Sequence, residues 1–180
     1  MRKTLTVLFF LFTASAGWSG DYFTLGGIWG YGSNVTSGVD VQTQDLKTME
    51  GFISIPLEEE TFLALRIGRI QPRSEEQSEI DLDYLSMTVT YQFNMPLGTT
   101  GFFAGPSYYS GDITHYNPSL SEGELAWNEE VDKFGATGGV EAFFPLSRTF
   151  YVYAQIGAHY IPAAEEQFVV GLGVGMAVRF

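Results

Sequence analysis

Five charged residues, Glu50, Arg66, Lys133, Glu141 and Arg179, lie in segments that alternate in character from one position to the next, each on the side not occupied by bulky apolar residues. Carboxylates and cations held together out of water form an ion-pair network; around an open path the same groups would gate ions. Reflecting the chain about residue 58 sets Glu50 opposite Arg66, so a pair is expected there. Removing one partner of such a buried pair costs about 3–5 kcal/mol. The imidazoles are His159 and His115, and either could act as base toward a serine within hydrogen-bond reach. His159 stands beside Tyr160 and ahead of Glu165-Glu166, where a strand reads as ending, so a satisfied rim histidine is the simpler expectation. There is no cysteine, which excludes a disulfide framework, a thiolate metal site and a lipid-anchored Cys.

Most of the remaining acids gather elsewhere. Asp40, Asp45, Glu75, Glu76, Glu79, Asp81, Asp83, Asp112, Glu122, Glu124, Glu129, Glu130, Asp132, Glu165 and Glu166 fall in or beside four polar connections near 32–44, 71–79, 111–130 and 161–166. A solvated, repulsive rim is the simple reading; capture of divalent cations is the sharper one. No stretch has the spacing of a calcium loop, so neither a resident metal nor a cofactor is expected. A formal net charge of −12 argues against nucleic acid, which needs clustered Lys and Arg. The longest connection, 111–130, carries Tyr116 and Trp127 among Glu129 and Glu130. Those four are candidates for contact with a partner, because loops of that length are often functional.

The elements that must position these groups are strands. Arg2-Lys3, an apolar run from Leu5 to Thr13 and Ala14-Ser15-Ala16 read as a cleaved signal peptide over 1–16. Its removal leaves 7 basic and 21 acidic residues, a net −14. Beyond it no apolar run is long enough for a spanning helix. From Gln167 to Phe180 one face reads Phe168, Val170, Leu172, Val174, Met176, Val178, Phe180, and the other is mostly glycine and alanine. The segments 84–93 and 150–160 alternate in the same way. Period two of this kind makes strands, and a bulky face opposite a small or polar one suits lipid outside and a crowded lumen inside.

Three short connections share Pro-Leu: Pro56-Leu57, Pro96-Leu97 and Pro145-Leu146. Proline cannot donate within a ladder, so it marks strand ends. Three short turns and four longer connections join eight strands, expected near 21–31, 45–55, 62–70, 80–93, 102–110, 131–144, 149–160 and 167–180. Aromatic girdles are expected from Phe62, Phe102, Phe103, Phe143, Phe144, Phe150 and Phe180 at the short-turn end, and from Trp29, Tyr31, Tyr108, Tyr109 and Tyr160 at the other. The expected fold is all-β: an eight-stranded antiparallel up-and-down transmembrane barrel over 17–180. An interior that narrow is filled by side chains.

The leader, the eight-strand spacing and the alternating last strand ending in Phe180 resemble the small OmpA/OmpX-type outer-membrane barrels across the mature length. The resemblance implies a location in the bacterial outer membrane, with lipid and lipopolysaccharide around the barrel and a possible extracellular partner at the loops. It also implies that Val174, Met176, Val178 and Phe180 form the signal read by the barrel-assembly machinery. The expected role is structural or surface-interacting and non-enzymatic. Two alternatives stay open: a lipid A deacylase or acyltransferase of the outer leaflet, and a secreted barrel binding an apolar ligand. The deacylase-type barrels place a serine two residues after the histidine; here that position is Ile161, and His115 has no such serine either. The apolar-ligand alternative predicts an apolar lumen, which the five charged residues oppose.

Overall fold

A computed structural model describes residues 23–36, 44–72, 80–116, 125–164 and 166–180. The expected leader, 1–16, lies outside the described residues. Eight strands follow one another: β1 Thr24–Thr36, β2 Gln44–Pro56, β3 Thr61–Pro72, β4 Ile80–Met95, β5 Gly98–Tyr116, β6 Leu125–Pro145, β7 Phe150–Ile161 and β8 Gln167–Arg179. Each pairs antiparallel with the next, and β8 returns to β1, closing a barrel. Closure satisfies the ladder groups that an open sheet leaves at its edges, a requirement for any sheet surrounded by lipid.

The Pro-Leu turns sit where proline chemistry puts them. Two are built alike: Leu57 N–H donates to the Thr61 carbonyl (2.8 Å), and Leu146 N–H to that of Phe150 (2.9 Å). The third is the two-residue turn Pro96-Leu97. Period two then sorts the side chains. On β4, Leu85, Met87, Val89 and Tyr91 point out, while Tyr84, Ser86, Thr88, Thr90 and Gln92 are buried. On β8, Phe168, Val170, Leu172, Val174 and Met176 point out, opposite a glycine-rich inner face.

That inner face permits close contact at the closing seam. A Cβ on Gly175 would run into the Gly27 carbonyl oxygen and lie 2.8 Å from Ile28 Cα. Any larger residue would push β1 and β8 apart.

Several strands run beyond their expected bounds. β1 reaches Thr36, β5 reaches Tyr116 and β6 begins at Leu125, so most of the supposed 111–130 loop is a paired ribbon. Polar residues on both faces hid these extensions, since outside a bilayer a strand needs no apolar side. The girdles are also thinner than expected. Phe62, Phe103, Phe143 and Tyr109 are buried in the interior, their parity overriding their nearness to strand ends. Trp29, Tyr31, Phe102, Phe144, Phe150 and Phe180 do point outward.

The interior has layers. Toward the loop end, Leu46, Ile70, Ile80, Leu82, Ile113, Val131, Ile161 and Val169 form an apolar cluster with Tyr84 and Tyr109. Toward the short turns, Ile28, Phe52, Phe143, Tyr153 and Ala177 form another. Between them lies a polar layer.

Candidate functional site

Arg66 is the centre of the polar layer. Its inward position on β3 follows from parity with Phe62, Ala64 and Ile70, and it is 1% exposed. All three guanidinium nitrogens donate. Nη1 reaches Glu50 Oε1 at 2.8 Å and Gln155 Oε1 at 2.9 Å; Nη2 reaches Glu141 Oε2 at 2.6 Å; Nε reaches Thr88 Oγ1 at 3.0 Å. The planar head also lies over the Phe103 ring, 4.1 Å from its centroid, where the cation meets the negative face of the aromatic. Only a planar fork of fixed donors can serve carboxylates on β2 and β6 together with a hydroxyl on β4.

The carboxylates are held from their other sides. Glu50 accepts from the Tyr84 hydroxyl at 2.8 Å. Glu141 accepts from Tyr153 at 2.9 Å and from Gln92 Nε2 at 3.2 Å. Such satisfaction is what makes burial of charge tolerable. Ser86 and Ser107 share a hydrogen bond at 2.5 Å across β4 and β5.

The register differs from the reflection about residue 58. Glu50 stands opposite Gly68, and Arg66 opposite Phe52. Pro56 pairs with Phe62, with Leu57 to Thr61 between them, which moves the mirror point by one residue, to 59. Glu50 and Arg66 are thus diagonal neighbours, and the length of the arginine closes the gap. Gly68 leaves space there: a Cβ on it would run into the Tyr84 ring.

The other charged residues expected in this network sit apart from it. Lys133 shares the inward parity of β6 but lies near the loop end, half exposed, where its Nζ donates to Glu129 Oε1 at 2.8 Å. Glu129 also accepts from the Ala164 backbone N–H at 2.9 Å. It therefore ties the β7–β8 connection to β6 rather than standing in a loop. Arg179 lies at the short-turn end, its head 4.8 Å from the Tyr151 ring centroid and 5.5 Å from that of Phe143. The second apolar cluster separates it from Arg66. Glu130 lies on the exposed outer face of β6, and Tyr116 and Trp127 lie in strands, paired with Leu125 and His115.

His159 is not at the rim. It is buried inside the barrel, its ring 4.7 Å from that of Tyr84, with Nδ1 3.0 Å from the Tyr109 hydroxyl. The same phenol is within 3.1 Å of the Ala136 carbonyl, to which it can donate. The neighbouring β5 and β6 rise well past residue 159, which places this strand end deep in the molecule. Sequence parity had put His159 on one face with Tyr153 and Gln155; its depth was the missing information.

The outer surface is a belt of apolar side chains: Trp29, Met49, Ile67, Met87, Val89, Phe102, Ile156, Leu172 and Met176 are all about half exposed. A soluble protein would not leave so large a continuous apolar surface. It is what a transmembrane barrel presents to hydrocarbon.

No family model matches the chain, and no curated protein matches it in sequence. Solved structures match it in shape. Neisserial surface protein A is 13% identical with a TM-score of 0.65, over 88% of this chain and 97% of that one. Ail, the attachment invasion locus protein of Yersinia pestis, is 12% identical with a TM-score of 0.61, over 89% and 99%. The N-terminal β-barrel domain of Pseudomonas aeruginosa OprF is 18% identical with a TM-score of 0.52, over 86% and 97%. At these identities the likeness establishes the fold: a small eight-stranded barrel of the outer-membrane type.

Proposed function

We propose that this chain is a bacterial outer-membrane barrel with a non-enzymatic, structural or surface-interacting role, its short turns in the periplasm and its long connections outside. The observation that carries the reading is the pairing of an apolar outer belt with an interior occupied by buried side chains. Two apolar clusters bracket the Arg66 layer, so the lumen is a plug that supports the wall and not a path for solute. The buried charges of Glu50, Arg66 and Glu141 in that interior oppose an apolar ligand. His159 lies within this plug, hydrogen-bonded to a phenol and on the inner side of the wall from the belt where a lipid substrate would arrive. What is left to meet the surroundings is the loop end, with its excess of carboxylates. Of the proteins sharing this fold, Ail has been seen in complex with the heparin analogue sucrose octasulfate; a surface-binding role agrees with that precedent. Lipid and lipopolysaccharide would surround the belt, and the alternating end Val174, Met176, Val178, Phe180 would serve the assembly machinery.

The test is outer-membrane fractionation with heat-modifiable electrophoretic mobility. The chain should fractionate with the outer membrane and migrate faster unheated than boiled. A chain that remains soluble without detergent refutes the reading. Lipid A mass spectra should be identical with and without expression, and an altered acylation pattern would replace this reading with the enzymatic one.

A further inference from the structure

The short-turn end carries its charge unevenly. The β2–β3 turn exposes Glu58, Glu59 and Glu60. The β6–β7 turn exposes Arg148, and Arg179 stands next to it, its backbone N–H donating to the Thr149 carbonyl at 2.9 Å. Among the described residues neither arginine has a carboxylate partner, although Arg66, Arg69 and Lys133 each have one. Arg179 Nε reaches Thr24 Oγ1 at 3.4 Å, and its Nη2 is buried with no hydrogen-bond partner. In a chain of net charge −12, two unpaired cations side by side make a local positive potential that attracts an anion.

Their surroundings are apolar. Leu146, in the same turn, is 63% exposed, and Phe150 and Phe180 point outward beside it. The β4–β5 turn presents Leu97, 79% exposed. A Cβ on Gly98 would run into the Phe143 carbonyl, so that turn lies against the end of β6. Facing water, such leucines would be a liability; at the foot of the outer belt they continue it. The height agrees. From Tyr160, whose hydroxyl donates to Glu166 at 3.0 Å, β7 runs ten residues to Phe150. That is about 33 Å of strand, or roughly 25 Å along the membrane normal at a tilt of about 40°, the height of an outer-membrane hydrocarbon band. The turn that follows therefore lies at the level of the inner-leaflet headgroups. Leu146 is then in reach of hydrocarbon, and Arg148 finds its acceptors in phosphate oxygens.

We propose that the β6–β7 turn binds the headgroup of an anionic inner-leaflet phospholipid. Arg148 holds the phosphate, Arg179 adds positive potential from behind the rim, and Leu146 and Phe150 receive the acyl chains. The carboxylates of the β2–β3 turn repel the same lipid, so one side of the barrel is selected. This deepens the outer-membrane reading and rests on it only for which leaflet the turn meets.

The experiment is native mass spectrometry of the full chain refolded in detergent micelles holding equal amounts of dioleoyl phosphatidylglycerol and dioleoyl phosphatidylcholine, which share their acyl chains. The wild type should retain phosphatidylglycerol at least about tenfold more often. R148E should abolish the preference, and R148K, which keeps the charge, should preserve most of it. L146S should lower retention of both lipids. Equal retention of the two lipids by the wild type, or an undiminished preference in R148E, overturns the proposal. Millimolar inorganic phosphate should leave the lipid in place; displacement would make the turn a site for free anions and overturn the lipid assignment. Heat-modifiable mobility of every variant establishes that the barrel is intact, so a lost preference is read as loss of the site. Failure of the chain to reach the outer membrane would count against the location, whereas the preference in micelles is read independently of it.

Discussion

Replacing Arg66 with methionine keeps an unbranched side chain under the Phe103 ring and removes the guanidinium. Glu50 and Glu141 are then buried carboxylates without an ion-pair partner. Breaking a buried pair from one side costs about 3–5 kcal/mol, and the lost bonds to Thr88 and Gln155 add roughly 0.5–1.5 kcal/mol each. These contributions share one residue and do not add fully, so a loss of about 4 kcal/mol is expected. That is a large part of an ordinary domain stability of about 5–15 kcal/mol. The assay is urea unfolding of the refolded barrel, followed by tryptophan fluorescence and by the heat-modifiable band. A second arm adds E50Q and E141Q to the methionine variant. Neutralising both carboxylates removes the unpaired charge, and at least half of the loss should return. R66K is the third arm: a single ammonium cannot reproduce the fork that spans β2 and β6, so it should fall between wild type and R66M. A loss below about 1 kcal/mol in R66M, or no recovery in the triple variant, would refute the view that charge compensation holds this layer together.

Three further outcomes are expected. Pro106 lies mid-strand in β5, facing outward, where the β4 ladder omits the positions opposite Met87 and Thr88; P106A should supply the missing N–H and stabilise the barrel by about 0.5–1.5 kcal/mol in the same unfolding assay. G175A should do the opposite, by roughly 1–3 kcal/mol, because its methyl meets the Gly27 carbonyl at the closing seam; equal stability would show that β1 and β8 have slack. Planar-bilayer recordings should show no steady conductance, whereas R66A combined with substitutions that empty the two apolar clusters should raise current events above background.

The architecture was legible because lipid imposes a pattern that water does not. Within the bilayer's height, every outward residue of β4 and β8 had to be apolar, so period two was visible, and Pro-Leu marked three of the seven connections. Beyond that height the constraint vanishes. Asp112, Thr114, Asn128 and Glu130 read as loop although they are paired in β5 and β6. The central ion pairs were legible as residue types on an inward face, but their depth was not. Depth depends on register and on the relative heights of neighbouring strands, which is why Lys133 and Arg179 were grouped with Arg66, and why His159 was set at the rim. Glu129 was misread for a different reason: its partners, Lys133 and the Ala164 amide, meet it only once β7 turns back across β6.

The closing ladder between the first and last strands sets the timing of folding. Arg179 Nε reaches Thr24 Oγ1 across 155 positions of chain, and Asn34 reaches Gln167 across 133. These contacts are among the most distant in sequence that the chain can make, and long-range pairing of this kind is slow to form because the ends must first find each other. Until residue 167 and its successors have been made, β1 and β7 each expose an unsatisfied edge, so a nascent or truncated chain is a pair of open edges and not a smaller barrel. Once the ring is joined there is no terminal strand to peel, since each end is covered by the other. Release then requires breaking a whole ladder at once, which makes residence time, more than equilibrium stability, the measure of how long this protein stays where it is put.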